Sequence, residues 1–250
     1  MCLSSASNVL DVGWGRLRNA LGEVLSPTRC VCCEQPGSLL CERCSREIAW
    51  IDPADACSRC GAPFGRMLCT ECNGVQVDLD HCLAAAVFDG PPAQVVRAYK
   101  DAGELRLAHL LSSMLCQAFL RAERSDSERY GHLASSVDAL TFVPATAEAF
   151  RRRGFDHMET ICRDVSARLG IPVLDALVKH GRSDQRKAGR RERARLSHGV
   201  YEVVAPVTGL NLLVLDDVIT TGATLNAVAR VLKRSGAARV DGLAVARVWG

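Results

Sequence analysis

Two adjacent carboxylates followed by a threonine-rich loop mark the chemistry of this chain. The segment reads Leu212-Leu213-Val214-Leu215-Asp216-Asp217-Val218-Ile219-Thr220-Thr221-Gly222-Ala223-Thr224. Its apolar start has the length and composition of a buried parallel strand. The loop brings backbone N–H groups, three Thr hydroxyls and the N-terminus of a following helix to one point. Such a point attracts phosphate, because unpaired N–H groups and the positive helix end face the anion. Asp216 and Asp217 would repel phosphate. As acceptors they suit ribose hydroxyls, and as hard oxygen ligands they suit Mg²⁺. Phosphate, diol and metal together describe a phosphorylated ribose. A plain Asp cap before a helix needs one acid and no such loop.

Cysteine supplies a second chemistry. Eight of the 13 cysteines form four C-x-x-C pairs: Cys30/Cys33, Cys41/Cys44, Cys57/Cys60 and Cys69/Cys72. Each pair turns two thiolates towards one point, and two pairs complete a tetrahedral zinc site. Two structural Cys₄ sites follow naturally, 30/33/41/44 and 57/60/69/72; spacing also leaves open a cross-braced pairing of the first knuckle with the third. Four thiolates leave no open position for water, so the role is structural. A redox C-x-x-C usually occurs once, at a helix start in a βαβ setting. Cys32 is a spare inside the first knuckle, and Cys2, Cys82, Cys116 and Cys162 read as small buried residues.

The elements that must hold these groups are legible as a pattern. Residues 1–27 carry an amphipathic helix over 8–25, running into Pro27. A double zinc ribbon occupies 28–75, with turns at Pro36-Gly37, Gly61, Pro63 and Gly65. From residue 80 to 250, strands alternate with helices. Strands are expected at 83–88, 137–143, 171–173, 201–204, 212–215 and 240–248. Helices are expected over most of 93–130, with a break near 101–103, and at 158–169 and 223–234. Pro91-Pro92 ends the first strand. Alternation of this kind gives a parallel sheet flanked by helices, an α/β fold, with ligands beyond the C-terminal strand ends.

Charge is unevenly spread. The chain carries a net +3, yet residues 151–195 hold 11 Arg and 2 Lys against 6 acids. That excess favours phosphates, of a small molecule or of nucleic acid. The loop between Pro144 and Gly154 carries Arg151, Arg152 and Arg153, whose guanidinium forks match phosphate oxygens; they are the candidates for a pyrophosphate. Lys100 could reach the same group from the first helix. Gln185, Arg186, Arg190 and Arg191 could form a flap over the site. No aromatic platform for base stacking interleaves with these charges. No run approaches the ~18 apolar residues of a membrane span. No signal peptide is legible at the N-terminus, so the cytoplasm is the expected compartment.

The segment 212–224 resembles the phosphoribosyl pyrophosphate (PRPP) signature of the type I phosphoribosyltransferases. The resemblance implies that Asp216 and Asp217, the candidate catalytic residues, hold ribose hydroxyls and Mg²⁺. It implies that Thr220, Thr221, Gly222, Ala223 and Thr224 hold the 5′-phosphate. Zinc knuckles followed by this signature narrow the likeness to the ComF family. It also includes Tyr99-Lys100 with Gly103, Val143-Pro144, Arg153-Gly154-Phe155, and Asp184-Gln185 with the following Arg run. The chain departs from the family's usual pattern at Ala145-Thr146 and at Asp156, where the family has Val-Pro and Asn.

Two functions are implied. One is a PRPP-binding protein that transfers phosphoribosyl to an acceptor, with a cysteine module in place of the hood that base-salvage relatives carry. The other is a non-catalytic component of DNA uptake that binds single-stranded DNA beside a helicase-like partner, with PRPP regulatory. An enzyme needs an acceptor pocket; a DNA-binding module needs an extended basic groove.

Overall fold

The computed structural model describes residues 27–66, 68–181 and 200–249. The amphipathic helix expected over 8–25, and Gln185, Arg186, Arg190 and Arg191, lie outside them. The chain divides into two compact units, with the boundary between Glu47 and Ile48.

The first unit is built from turns around sulfur. Cys30 N–H donates to Gln35 O and Glu34 N–H donates back to Cys30 O. A short helix α1 (Glu42–Arg46) follows Cys41 and carries Cys44 inward. So small a segment has little apolar core; Cys30, Cys41 and Cys44 are its buried cluster.

The second unit contains a four-stranded, all-parallel sheet. Its strands are β1 (Cys82–Val87), β2 (Ala139–Phe142), β5 (Asn211–Ile219) and β6 (Arg239–Arg247), in the spatial order β1-β6-β5-β2. Between β2 and β5 in sequence, β3 (Leu177–Lys179) and β4 (Tyr201–Val203) make a separate antiparallel pair. The central strands are buried over most of their length, residues 212–217 and 240–247 without a break, as apolar runs require when both faces are covered.

Helices cover the sheet. Helix α2 (Gly90–Lys100) starts at Asp89, with Pro91 and Pro92 in its first turn. The prolines therefore open a helix rather than end β1, which stops at Val87; their missing N–H groups fall where a helix has no partners for them. Helix α3 (Ala108–Ser125) packs on β1 and β6, and on a later helix α5 (His157–Leu169). Between these two in sequence comes α4 (Ala147–Arg153). On β5 and β6 lies α6 (Ala223–Arg234), which buries Leu225, Val228, Ala229 and Leu232 at helical spacing. Each of the larger of these side chains contributes roughly 1.5–3 kcal/mol by burial.

Several expected bounds move. The strand of the acidic pair extends through Asp216 and Asp217 to Ile219, because its partner β6 is equally long and carries the ladder past them. Residues 147–153, read as loop, are helical: Thr146 Oγ1 accepts from Ala149 N–H, and Gly154 closes the helix at φ +81°. Residues 171–173 supply a single bridge, Val173 to Leu140, rather than a strand. Leu177–Lys179 is an additional strand whose pattern is too short to stand out.

Candidate functional site

Strand β5 delivers the acids and the loop together. Asp216 and Asp217 are both 6% exposed and line a cleft of about 260 Å³ at the C-terminal end of the sheet. Asp217 N–H donates to Asp216 Oδ1 at 2.9 Å, and Val218 N–H donates to Asp217 Oδ1 at 2.8 Å. The other Asp217 oxygen takes Lys100 Nζ and, at 3.2 Å, His157 Nε2. Burial opposes ionisation of Asp217, but the His157 hydrogen bond and the Lys100 charge outweigh it and hold the carboxyl below its usual range. Burial, and then the negative Asp217, push Asp216 up to about 8. The two acids of one strand are thus shifted in opposite directions.

Beyond Ile219 the loop reaches solvent. Thr220, Thr221, Ala223 and Thr224 are exposed, and Thr224 lines the cleft. Gly222 caps α6 at φ +77°, a left-handed backbone that glycine adopts freely. Thr221 Oγ1 accepts from Ala223 N–H at 3.3 Å. The first turn of α6 therefore faces outward at the cleft's edge, as an anion site requires.

Basic groups converge from two helices. Lys100 ends α2, and Arg153 ends α4; both line the cleft. A second cavity of about 440 Å³ shares these two residues and adds Arg152, Gly103 and Phe155. Arg151 is not brought to either; it borders a third cavity with Asp156, Glu159 and Asp175. Helical spacing explains the split, since successive residues point about 100° apart.

The sequence reading missed His157. It is the first residue of α5, 6% exposed. Arg153 Nη1 lies 3.2 Å from its Nδ1, and Arg can only donate, so Nε2 carries the proton given to Asp217. Tyr99 Oη donates to the His157 carbonyl at 2.9 Å. The family departures next to it have structural roles. Asp156 caps α5 through Met158 N–H at 2.9 Å, and its other oxygen accepts from Ala145 N–H at 2.6 Å. The sequence clue was position: a His directly after a capping Asp faces whatever the helix N-terminus faces.

The cysteines group as Cys30/33/41/44 and Cys57/60/69/72, with ligand atoms of each group within 4.8 Å of one another. The cross-braced alternative is not formed. Cys33 Sγ lies 3.6 Å from Cys41 Sγ, and Cys60 Sγ 3.6 Å from Cys69 Sγ. Sulfurs bound to one tetrahedral zinc at about 2.3 Å stand ~3.8 Å apart, so both groups fit the ion. Backbone N–H groups of Cys41, Cys32 and Cys33 overcome burial and draw the Cys30 thiol down to about 6. The hydrogen bond from Cys60, with further N–H groups, draws Cys57 down to about 4. Of the lone cysteines, Cys82, Cys116 and Cys162 are buried. A further cluster, His81, His132 and Asp241, sits at the opposite end of the sheet. Arg239 already occupies it, 2.8 Å from both His81 Nδ1 and Asp241 Oδ2. No helix among the described residues is long and apolar enough to cross a membrane.

Residues 160–247 match the phosphoribosyl transferase domain. The chain is 26% identical to DNA utilization protein YhgH of Salmonella typhi over 223 residues, covering 86% of this chain and 95% of that protein. It is 23% identical to competence protein F of Haemophilus influenzae over 235 residues, 89% of this chain and 95% of the relative. Among solved structures, glutamine phosphoribosylpyrophosphate amidotransferase from B. subtilis aligns at 19% identity and a TM-score of 0.37, over 55% of this chain and 25% of that one. The chain is thus similar over most of its length to DNA utilization protein YhgH and competence protein F, and its residues 160–247 match the phosphoribosyl transferase domain.

Proposed function

We propose that this protein binds PRPP with Mg²⁺ in the cleft at the end of β5, and that zinc in the two Cys₄ groups is structural. One observation carries the reading: a buried acid pair, Thr224 at the start of a helix, and Lys100 with Arg153 all border one cleft. The loop suits the 5′-phosphate and the acids suit the ribose hydroxyls. The adjoining basic cavity, with Lys100, Arg152 and Arg153, suits the pyrophosphate. Mg²⁺, held with the substrate at Asp216 and Asp217, would neutralise pyrophosphate charge. If an acceptor attacks the anomeric carbon, these guanidinium groups stabilise the departing pyrophosphate, and the residues work by positioning and electrostatics. The reduced thiols suit a cytoplasmic setting.

Calorimetric titration of PRPP with Mg²⁺, repeated with ribose 5-phosphate and with Asp217→Ala, tests the assignment. Binding that needs Mg²⁺ and is lost in Asp217→Ala supports it; equal affinity in the variant sinks it. A second reading, action on single-stranded DNA beside a helicase-like partner, is favoured by the names of the full-length relatives, DNA utilization protein and competence protein F. Salt-dependent binding of an oligonucleotide distinguishes it, since phosphate contacts release counterions.

A further inference from the structure

Arg247 ends β6 and is 2% exposed. Its guanidinium faces two ways. Nη1 donates to the carbonyl of Thr220, the first residue of the threonine loop, and to that of Val248. Nη2 donates to Glu71 Oε2 at 3.1 Å and lies 4.0 Å from Cys60 Sγ. Glu71 stands in the chain between Cys69 and Cys72, so both contacts belong to the second cysteine group. Nε is buried without an acceptor.

A guanidinium this deep needs counter-charge. The Glu71 side chain is 65% exposed, and an exposed carboxylate is a weak partner. Four thiolates around one Zn²⁺ leave about two negative charges, buried and fixed. The backbone holds the same parts together. Arg247 is in register with Ile219 on one side and Val87 on the other. Cys82 N–H donates to Ser58 O at 2.7 Å, and a Cβ at Gly61 would meet the backbone of Leu83 and Ala84 at 3.0 Å. The second cysteine group is thus keyed against β1, and Arg247 reaches from it to the loop.

We propose that Arg247 is a positioning residue that couples the second zinc centre to the threonine loop. The zinc–thiolate charge and Glu71 hold one end of the guanidinium, and the other end fixes Thr220. The inference rests on zinc binding at Cys57/60/69/72, and it adds to the proposed phosphate site a means of holding it. Coupling of this kind is reciprocal, so a ligand that orders the loop retains the zinc.

Amide hydrogen exchange on the full chain, read by mass spectrometry, tests this without any ligand. The loop peptide 219–225 is compared with reference segments 139–142 and 157–169, in zinc-loaded protein and after EDTA with a thiol reductant. Stripping is expected to speed loop exchange tenfold or more while the references change less than twofold. Zinc-loaded Arg247→Met is expected to keep its metal, show the fast loop, and gain nothing further on stripping. Should Arg247→Met not fold, Arg247→Lys must show the same uncoupling, since an ammonium lacks the two-ended fork. A loop unmoved by stripping, uniform acceleration across the references, or zinc dependence that persists in the variant overturns the proposal. A loop that answers to zinc yet takes up no ribose 5-phosphate in calorimetry sinks the phosphate reading and leaves this one standing.

Discussion

His157 Nε2 lies 3.2 Å from Asp217 Oδ2, across 60 residues of chain. The contact joins the N-terminus of α5 to the end of β5, and it shares its carboxylate oxygen with Lys100. It explains how an acid 6% exposed stays ionised. A depressed carboxylate contributes stability that is full above its unfolded value, near pH 4, and is lost as pH falls through the folded value. His157→Phe removes the hydrogen bond while filling the space. Its acid-unfolding midpoint, followed by circular dichroism, is expected at higher pH than wild type. An unmoved midpoint would show that Lys100 alone holds Asp217.

Asp216 has the opposite sign. Its folded value, raised to about 8, exceeds the unfolded one. The folded state therefore keeps a proton that the unfolded chain gives up, and stability falls as pH rises from about 4 to about 8. Asp216→Asn keeps an oxygen for Asp217 N–H and removes the titration. Urea unfolding at pH 5 and pH 8 should show the variant gaining on wild type, by roughly 1–3 kcal/mol at pH 8. Cation binding at the acid pair should also release protons at pH 7, visible as a buffer-dependent heat.

Gly222 stands at φ +77° between the strand and α6. Gly222→Ala places a Cβ in the left-handed region, at a cost of about 1–2 kcal/mol. Thermal unfolding should fall by that amount. Ribose 5-phosphate affinity should fall too, because relief of the strain moves the loop. Gly222→Asn, which tolerates this conformation better, should lose less in both measurements.

The two cysteine groups predict two zinc ions per chain. Cys30→Ser with Cys33→Ser, and separately Cys57→Ser with Cys60→Ser, should each leave one ion by atomic absorption. The second pair should also lower the melting temperature of the larger unit, because Ser58, between its cysteines, accepts the amide of β1's first residue. Two ions retained in either variant would overturn that ligand set.

Local chemistry made much of this protein readable from its sequence. The C-x-x-C spacing picked out the eight thiols, because a knuckle places its own two ligands. The apolar runs gave the central strands, because burial on both faces leaves no alternation. The acid pair and threonine loop declared themselves because strand end, loop and helix start are contiguous in the chain. Tertiary structure decided the rest. Pairing with β6 carried β5 past the acids, which no local signal encodes. Helix α4 sent Arg153 and Arg152 to one side and Arg151 to the other. Arg247 gave no sign in the sequence and His157 only its place after a capping Asp, since an isolated His or Arg takes its meaning from its neighbours. Asp217 and Thr220 become those neighbours only when the parallel sheet brings the ends of β5, β6 and α5 together.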